Sequence, residues 1–335
     1  MQPARRCFAA FLLALLSAWA ASPKGAAGEK PGFEPSRIQT VLSENLNLDR
    51  WKTDGGLAAI VPLPTGQGNA AGHYAALDAL YPKEKGPNGL TVPENAQGIS
   101  HILAASRIQE CRLVPDYYLA MVTFNPPLPS APAFQAYVRA TLRRAEACRK
   151  NGLFQEAEEL YRAVIVMGWH LTEDRPNLLV YFLGLLIQED GCRSYAEYLR
   201  SQMKSVAARK IMDYARFLRN ARLQVRKKNA ILTSWGQFDS LLSCIRCATE
   251  DKDPLWRQEA CLSLGVLANG APDSEGKLRQ EPLQQRLAQN TLELVAKNDP
   301  RPNLRELARW CVDKLPQEIE KVRKEQKASG LGAGD

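Results

Sequence analysis

Cys244-Ile-Arg-Cys247 is the stretch of this 335-residue chain best equipped for chemistry. On a helix, cysteines at i and i+3 lie on one face, where two sulfurs could take a metal ion or cycle between thiol and disulfide. No strand precedes the pair, as redox Cys-x-x-Cys sequences require. No histidine follows Cys247, which excludes the covalent haem-attachment pattern. A four-cysteine zinc site would need Cys261 and Cys311 to converge on the same point. If the helices on either side of Asp251 form a hairpin, Cys244 and Cys261 stand at similar distances from its turn. A structural Cys244–Cys261 disulfide, or a set of buried thiols, is therefore the expectation, with redox and metal chemistry as the alternatives.

Charge is the second resource. Residues 193–228 hold eleven Lys and Arg against two acids, while the whole chain carries a formal net charge of +8. Arg209, Arg216, Arg219, Arg222 and Arg226 fall near one side of a helix whose other side carries Ile211, Tyr214, Phe217, Leu218 and Val225. Such a face can meet an acidic partner protein, anionic lipid or an acidic polymer, or can simply be solvated. Nucleic acid is attractive electrostatically but fits poorly with an exported protein.

Other chemistry is thinly provided for. There are only three histidines, His73, His101 and His170. Gly66-Gln-Gly68-Asn-Ala-Ala71 superficially fits a dinucleotide glycine pattern, but Pro62 and Pro64 interrupt the strand that should precede it. A flexible turn leading to a helix cap at Asn69 is the better reading. No Gly-x-Ser-x-Gly, His-Glu-x-x-His or Walker-type phosphate loop is present. No cofactor is expected.

The elements that must position these residues begin after an export signal. Arg5 and Arg6, an apolar run from Phe8 to Leu16 and Ala18-Trp19-Ala20 have the layout of a secretory signal peptide, so cleavage near Ala20 is expected. The run Leu178–Ile187 is too short to span a bilayer, which takes about 20 apolar residues, and reads as a buried helix. Residues 21–36 read as a flexible amino terminus and 329–335 as a frayed tail. Helical spacing predicts helices over 70–81 and 94–112. After the proline-rich connector at Pro126–Pro132, it predicts them over 133–150, 153–168, 176–189, 194–207, 209–229, 236–249, 254–269, 281–298 and 302–315.

Two stretches resemble known repeats. Ala145, Gly152, Phe154, Ala157 and Tyr161 are spaced as in a tetratricopeptide helical hairpin, although Arg144 and Val164 depart from that pattern. Asp253-Pro-Leu-Trp-Arg257-Gln-Glu-Ala260-x3-Leu264-x2-Leu267 is echoed by Leu304-Arg305-Glu-Leu-Ala308-x3-Val312-x2-Leu315. The spacing of 48 residues is similar to HEAT-type repeats, whose period is about 40–47. These resemblances imply stacked helix pairs that offer an extended binding surface.

The expectation is thus an all-α protein: a helical, loop-rich amino-terminal region over 37–131, a tetratricopeptide-like region over 132–234 and a HEAT-like body over 235–328. Its expected role is that of a non-catalytic, exported adaptor for a protein partner in the periplasm or cell envelope. Tyr161, Arg209, Arg216, Arg219, Arg222 and Arg226 are the candidate contacts.

Overall fold

Helix-forming periodicity governs almost every described segment, and the protein is all-α. The structure is a computed structural model that describes residues 56–86, 91–113, 130–174, 177–233, 238–269, 282–317 and 320. The expected signal segment, the flexible amino terminus, the tail and Pro126–Pro129 lie outside the described residues. Among the described residues no helix is long and apolar enough to cross a membrane. They divide into two compact units, one holding 56–113 and 130–227, the other running from Lys228 onward.

In the first unit, strand β1 (Gly66–Asn69) leads into helix α1 (Ala71–Glu84), followed by α2 (Gln97–Ala105) and strand β2 (Ile108–Glu110). The two strands pair in parallel. Two expectations are corrected here, since Gly66–Asn69 is a strand rather than a turn and the helix expected to reach Arg112 stops at Ala105. The physical reason is pairing that no local pattern reveals. The Gly66 N–H donates to Arg107 O (2.9 Å). The Asn69 amide bonds both the N–H and the C=O of Arg112 (2.8 and 3.1 Å). The same Asn69 Oδ1 accepts from Ala71 N–H (3.1 Å), but the N-cap of α1 is Ala70, one residue later than the expected cap at Asn69.

Helices α3 (Ala131–Lys150), α4 (Phe154–Asp174) and α5 (Leu178–Ser201) form the body of this unit. Ser130 caps α3 through Ala133 N–H, with Pro132 in the first turn, and Asn177 caps α5 through Val180 N–H. The helix expected over 176–189 and most of the one expected over 194–207 are one continuous helix that ends at Ser201, and residues 205–207 belong to the next helix. Gly191, in the gap between those two expected helices, lies against α4, where a Cβ would come within 2.9 Å of the Ile165 side chain. At Gly168 the approach is closer still, and a Cβ would meet the Gln188 backbone nitrogen at 2.5 Å. Glycine here is a condition of helix contact.

Helix α6 (Ser205–Leu232) carries the chain to the second unit, built from α7 (Phe238–Glu250), α8 (Pro254–Ala268), α9 (Pro282–Asn298) and α10 (Pro302–Asp313). The turns that precede α8 and α10 use the same device 48 residues apart. Asp251 Oδ1 accepts Asp253 N–H (2.9 Å), and Asp299 Oδ1 accepts Arg301 N–H (2.8 Å). The other carboxylate oxygen of each binds a cation from an earlier helix: Lys228 Nζ reaches Asp251 Oδ2 (2.5 Å), and the Arg257 guanidinium reaches Asp299 Oδ2. Lys228 also stands 4.6 Å from the centre of the Trp256 ring. Arg257 Nε donates to Ala248 O (2.9 Å), tying α8 back to α7. Beneath these turns Ala260, Leu264 and Leu267 on α8, and Ala308 and Leu315 after the second turn, are buried at matching positions.

Removing one partner of a desolvated ion pair strands the other charge in the interior. Arg257→Met is therefore expected to lower the unfolding free energy by about 3–5 kcal/mol in urea titrations. Arg257→Met combined with Asp299→Leu should cost less than Arg257→Met alone. Equal losses would show that the stranded carboxylate is not the source of the effect.

Candidate functional site

The candidate surface is built on α6, whose two sides have different work. Ala208, Ile211, Tyr214, Ala215, Leu218, Ala221 and Val225 recur every three or four residues and are buried. Tyr214 Oη donates to Gln188 Oε1 (3.1 Å), fixing this side against α5. On the opposite side Arg209, Arg216, Arg219 and Arg226 are exposed. Arg216 pairs with Asp213 (3.0 Å) at the surface. Among the described residues Arg209, Arg219 and Arg226 make no ion pair.

Arg222 is a different case. Its guanidinium binds the buried carboxylate of Glu189 (3.0 Å) and lies over the Phe182 ring, 5.8 Å from its centre. Glu189 is shared with Arg193 (2.9 Å). Arg222 is thus an internal tie between α5 and α6, not a free contact.

Tyr161, expected at a partner surface, is 3% exposed. It stacks with Tyr195 and meets Tyr198 at a tilt, both on α5, at centroid distances of 6.3 and 5.4 Å. Its hydroxyl donates to Glu146 Oε2 (3.3 Å) on α3. The aromatic ring fills the space between helices, which removes Tyr161 from the exposed contacts.

The cysteines are packed inside the second unit. Cys244, Cys247, Cys261 and Cys311 are buried free thiols, so the expected Cys244–Cys261 bridge is not formed in this structure. Cys244 Sγ donates to Leu232 O (3.3 Å), and Cys247 Sγ lies 3.3 Å from Trp256 O. Burial pushes the Cys244 and Cys261 thiols up to about 12. Burial, reinforced by the Asp251 charge, raises Cys247 as well. These are the reverse of the electropositive, accessible surroundings that make a nucleophilic thiolate. Among the described residues no group of three or more His, Cys, Asp or Glu side chains is arranged to hold a metal ion.

The three histidines make contacts within the first unit. His73 and His101 join α1 to α2 through their Nδ1 atoms, 3.2 Å apart. His170 Nε2 lies 2.9 Å from Ile108 O, which requires a proton on that nitrogen and leaves Nδ1 to accept from Tyr74 Oη (2.7 Å). This neutral imidazole links α4 to both β2 and α1, and burial lowers its pKa to about 4. The Gly66 and Gly68 glycines lie within β1 rather than between strand and helix, so they do not form a phosphate-binding turn.

Comparison of the chain with family models, with curated proteins and with solved structures finds no match. The functional reading therefore rests on the surface itself. Sequence reasoning missed the turn at Met203, where the only signal is the polar run Ser201-Gln-Met-Lys-Ser205 between two amphipathic helices. It also grouped Lys228 with the surface cations, although this lysine is buried against Asp251.

Two outcomes test this picture. An unfolded histidine protonates near pH 6.5, whereas His170 in the fold resists protonation until about pH 4, so the unfolded chain binds the extra proton between these values. The stabilisation is complete above pH 6.5 and falls by about 3 kcal/mol as the pH drops toward 4, read from urea midpoints across that range. His170→Asn should remove this part of the slope. Native-state alkylation followed by peptide mass spectrometry should modify Cys244, Cys247, Cys261 and Cys311 at least about a hundredfold more slowly than in the unfolded chain.

Proposed function

We propose that the protein is an exported, non-catalytic helical-repeat adaptor that holds an acidic partner protein on the arginine face of α6. The observation that carries this reading is the division of labour along that helix. One side is packed and tied to α5, while Arg209, Arg219 and Arg226 stand in solvent without a counter-charge among the described residues. An ordered backbone that presents unpaired guanidinium groups is suited to carboxylate recognition, because little side-chain positioning is left to the moment of binding.

The repeat reading has support of its own. Ala145 and Ala157 are buried where α3 meets α4, and Gly152 takes φ 76° in the turn between them, in keeping with a tetratricopeptide-like hairpin. The equivalent aspartate turns at Asp251 and Asp299 favour a HEAT-like arrangement for the second unit. Solenoids of stacked helix pairs use extended surfaces rather than enclosed pockets.

Affinity capture of the tagged protein from its native envelope, with washes at low and high salt, is the test. A stoichiometric acidic partner is expected, with capture reduced about tenfold or more by Arg216→Glu combined with Arg219→Glu. The fold should survive this change because both side chains are exposed. Undiminished capture by that variant would remove the α6 face from the reading.

A further inference from the structure

The turn between α5 and α6 and the first turn of α6 each place an apolar residue where the fold does not use it. Met203 is 90% exposed and Val206 is 75% exposed, more than any other large apolar side chain among the described residues. Met203 has φ 60°, the one non-glycine residue described with a left-handed backbone. Glycine or asparagine adopts that conformation at least cost, whereas methionine meets steric resistance. The turn is nonetheless well tied, with Met203 N–H donating to Arg200 O (3.0 Å) and Lys204 N–H to Leu199 O (2.9 Å). An ordered turn thus holds a flexible apolar side chain out in water.

The turn is basic between the flanking acids Glu197 and Asp213. From Tyr198 to Met212 the chain carries Arg200, Lys204, Arg209 and Lys210 and no acidic residue. All four cations are exposed and none makes an ion pair among the described residues. Two protruding apolar side chains offer far less than the roughly 800 Å² per partner that a stable protein interface needs. A bilayer has no such requirement. It admits apolar side chains at the headgroup–acyl boundary while its phosphates meet lysine and arginine.

We propose that this turn is a docking wedge for an anionic phospholipid bilayer. Met203 and Val206 enter the headgroup–acyl boundary, and Arg200, Lys204, Arg209 and Lys210 bind the phosphates around them. Arg209 is shared with the arginine face of α6, but Met203, Val206, Arg200, Lys204 and Lys210 are not, and the wedge does not rest on the adaptor reading. A single shallow insertion of this kind gives reversible attachment that weakens with salt.

The experiment is co-sedimentation of the chain from Ala21 onward with vesicles of phosphatidylcholine containing roughly one-third phosphatidylglycerol, and with vesicles of phosphatidylcholine alone. Binding to the anionic vesicles is expected, with little to the neutral ones. Met203→Asn with Val206→Ser leaves every charge in place, and asparagine is at ease at positive φ, so the turn is preserved. That variant should bind the anionic vesicles about tenfold more weakly or worse, with an unchanged unfolding midpoint. Lys204→Glu with Arg209→Glu should abolish sedimentation. Failure of the parent chain to sediment with anionic vesicles, or equal sedimentation with neutral ones, overturns the wedge. Full binding by the Met203→Asn, Val206→Ser variant overturns it too, leaving a purely electrostatic attachment without apolar insertion.

Discussion

A carboxylate buried in a protein interior must find its counter-charge or its hydrogen-bond donors within the fold, and both units are organised around that requirement. Glu189, 2% exposed, is met by Arg193 from its own helix and by Arg222 from α6. Asp174, 8% exposed, accepts the backbone N–H of Leu113 (2.9 Å). Asp251 and Asp299 take Lys228 and Arg257 while also holding the backbone of their own turns. In each case the donor comes from a different element, or a different turn of the chain, than the acid. Helices that slid past one another by a residue would leave these acids without partners, so the polar ties set the register that apolar packing alone would allow to drift.

Helix α6 illustrates how sharply such ties divide a surface. Lys227 is exposed and Lys228, its neighbour, is buried over the Trp256 ring. Arg219 is free in solvent while Arg222, one turn further on, is locked to Glu189. A cluster of positive charge in sequence thus resolves into structural cations that stabilise the fold and surface cations that remain available. Substitutions in the two classes would be read by different instruments, a denaturation curve for one and a binding curve for the other.

Most of the fold was legible because helical periodicity is a local property. The second repeat-like helix was expected over 254–269 and runs over Pro254–Ala268, since aspartate and proline mark its start chemically. What escaped the sequence is what depends on distant residues. The strand at Ile108–Glu110 owes its existence to β1, some forty positions earlier, and Gly191 is helical because α4 lies against it. The candidate surface was legible as a charge pattern, with Arg209, Arg216, Arg219 and Arg226 exposed. Arg222 and Tyr161 were not separable from it, because their buried partners Glu189, Glu146, Tyr195 and Tyr198 are named only by the fold. Met203 was illegible for the opposite reason: a lone methionine in a polar run carries no pattern at all.

The clasp at His170 also bears on the order in which the first unit assembles. The hairpins α3–α4 and α4–α5 join segments adjacent in the chain, so their contacts close short loops and can form early. His170 instead reaches Tyr74 across 96 residues and Ile108 across 62. Closing those longer loops carries a larger entropic penalty, and its reward arrives only once α4 already stands. On this loop-closure argument the helical body forms first and β1, α1, α2 and β2 dock upon it. A chain emerging from amino to carboxyl end presents these segments before the helix that carries His170.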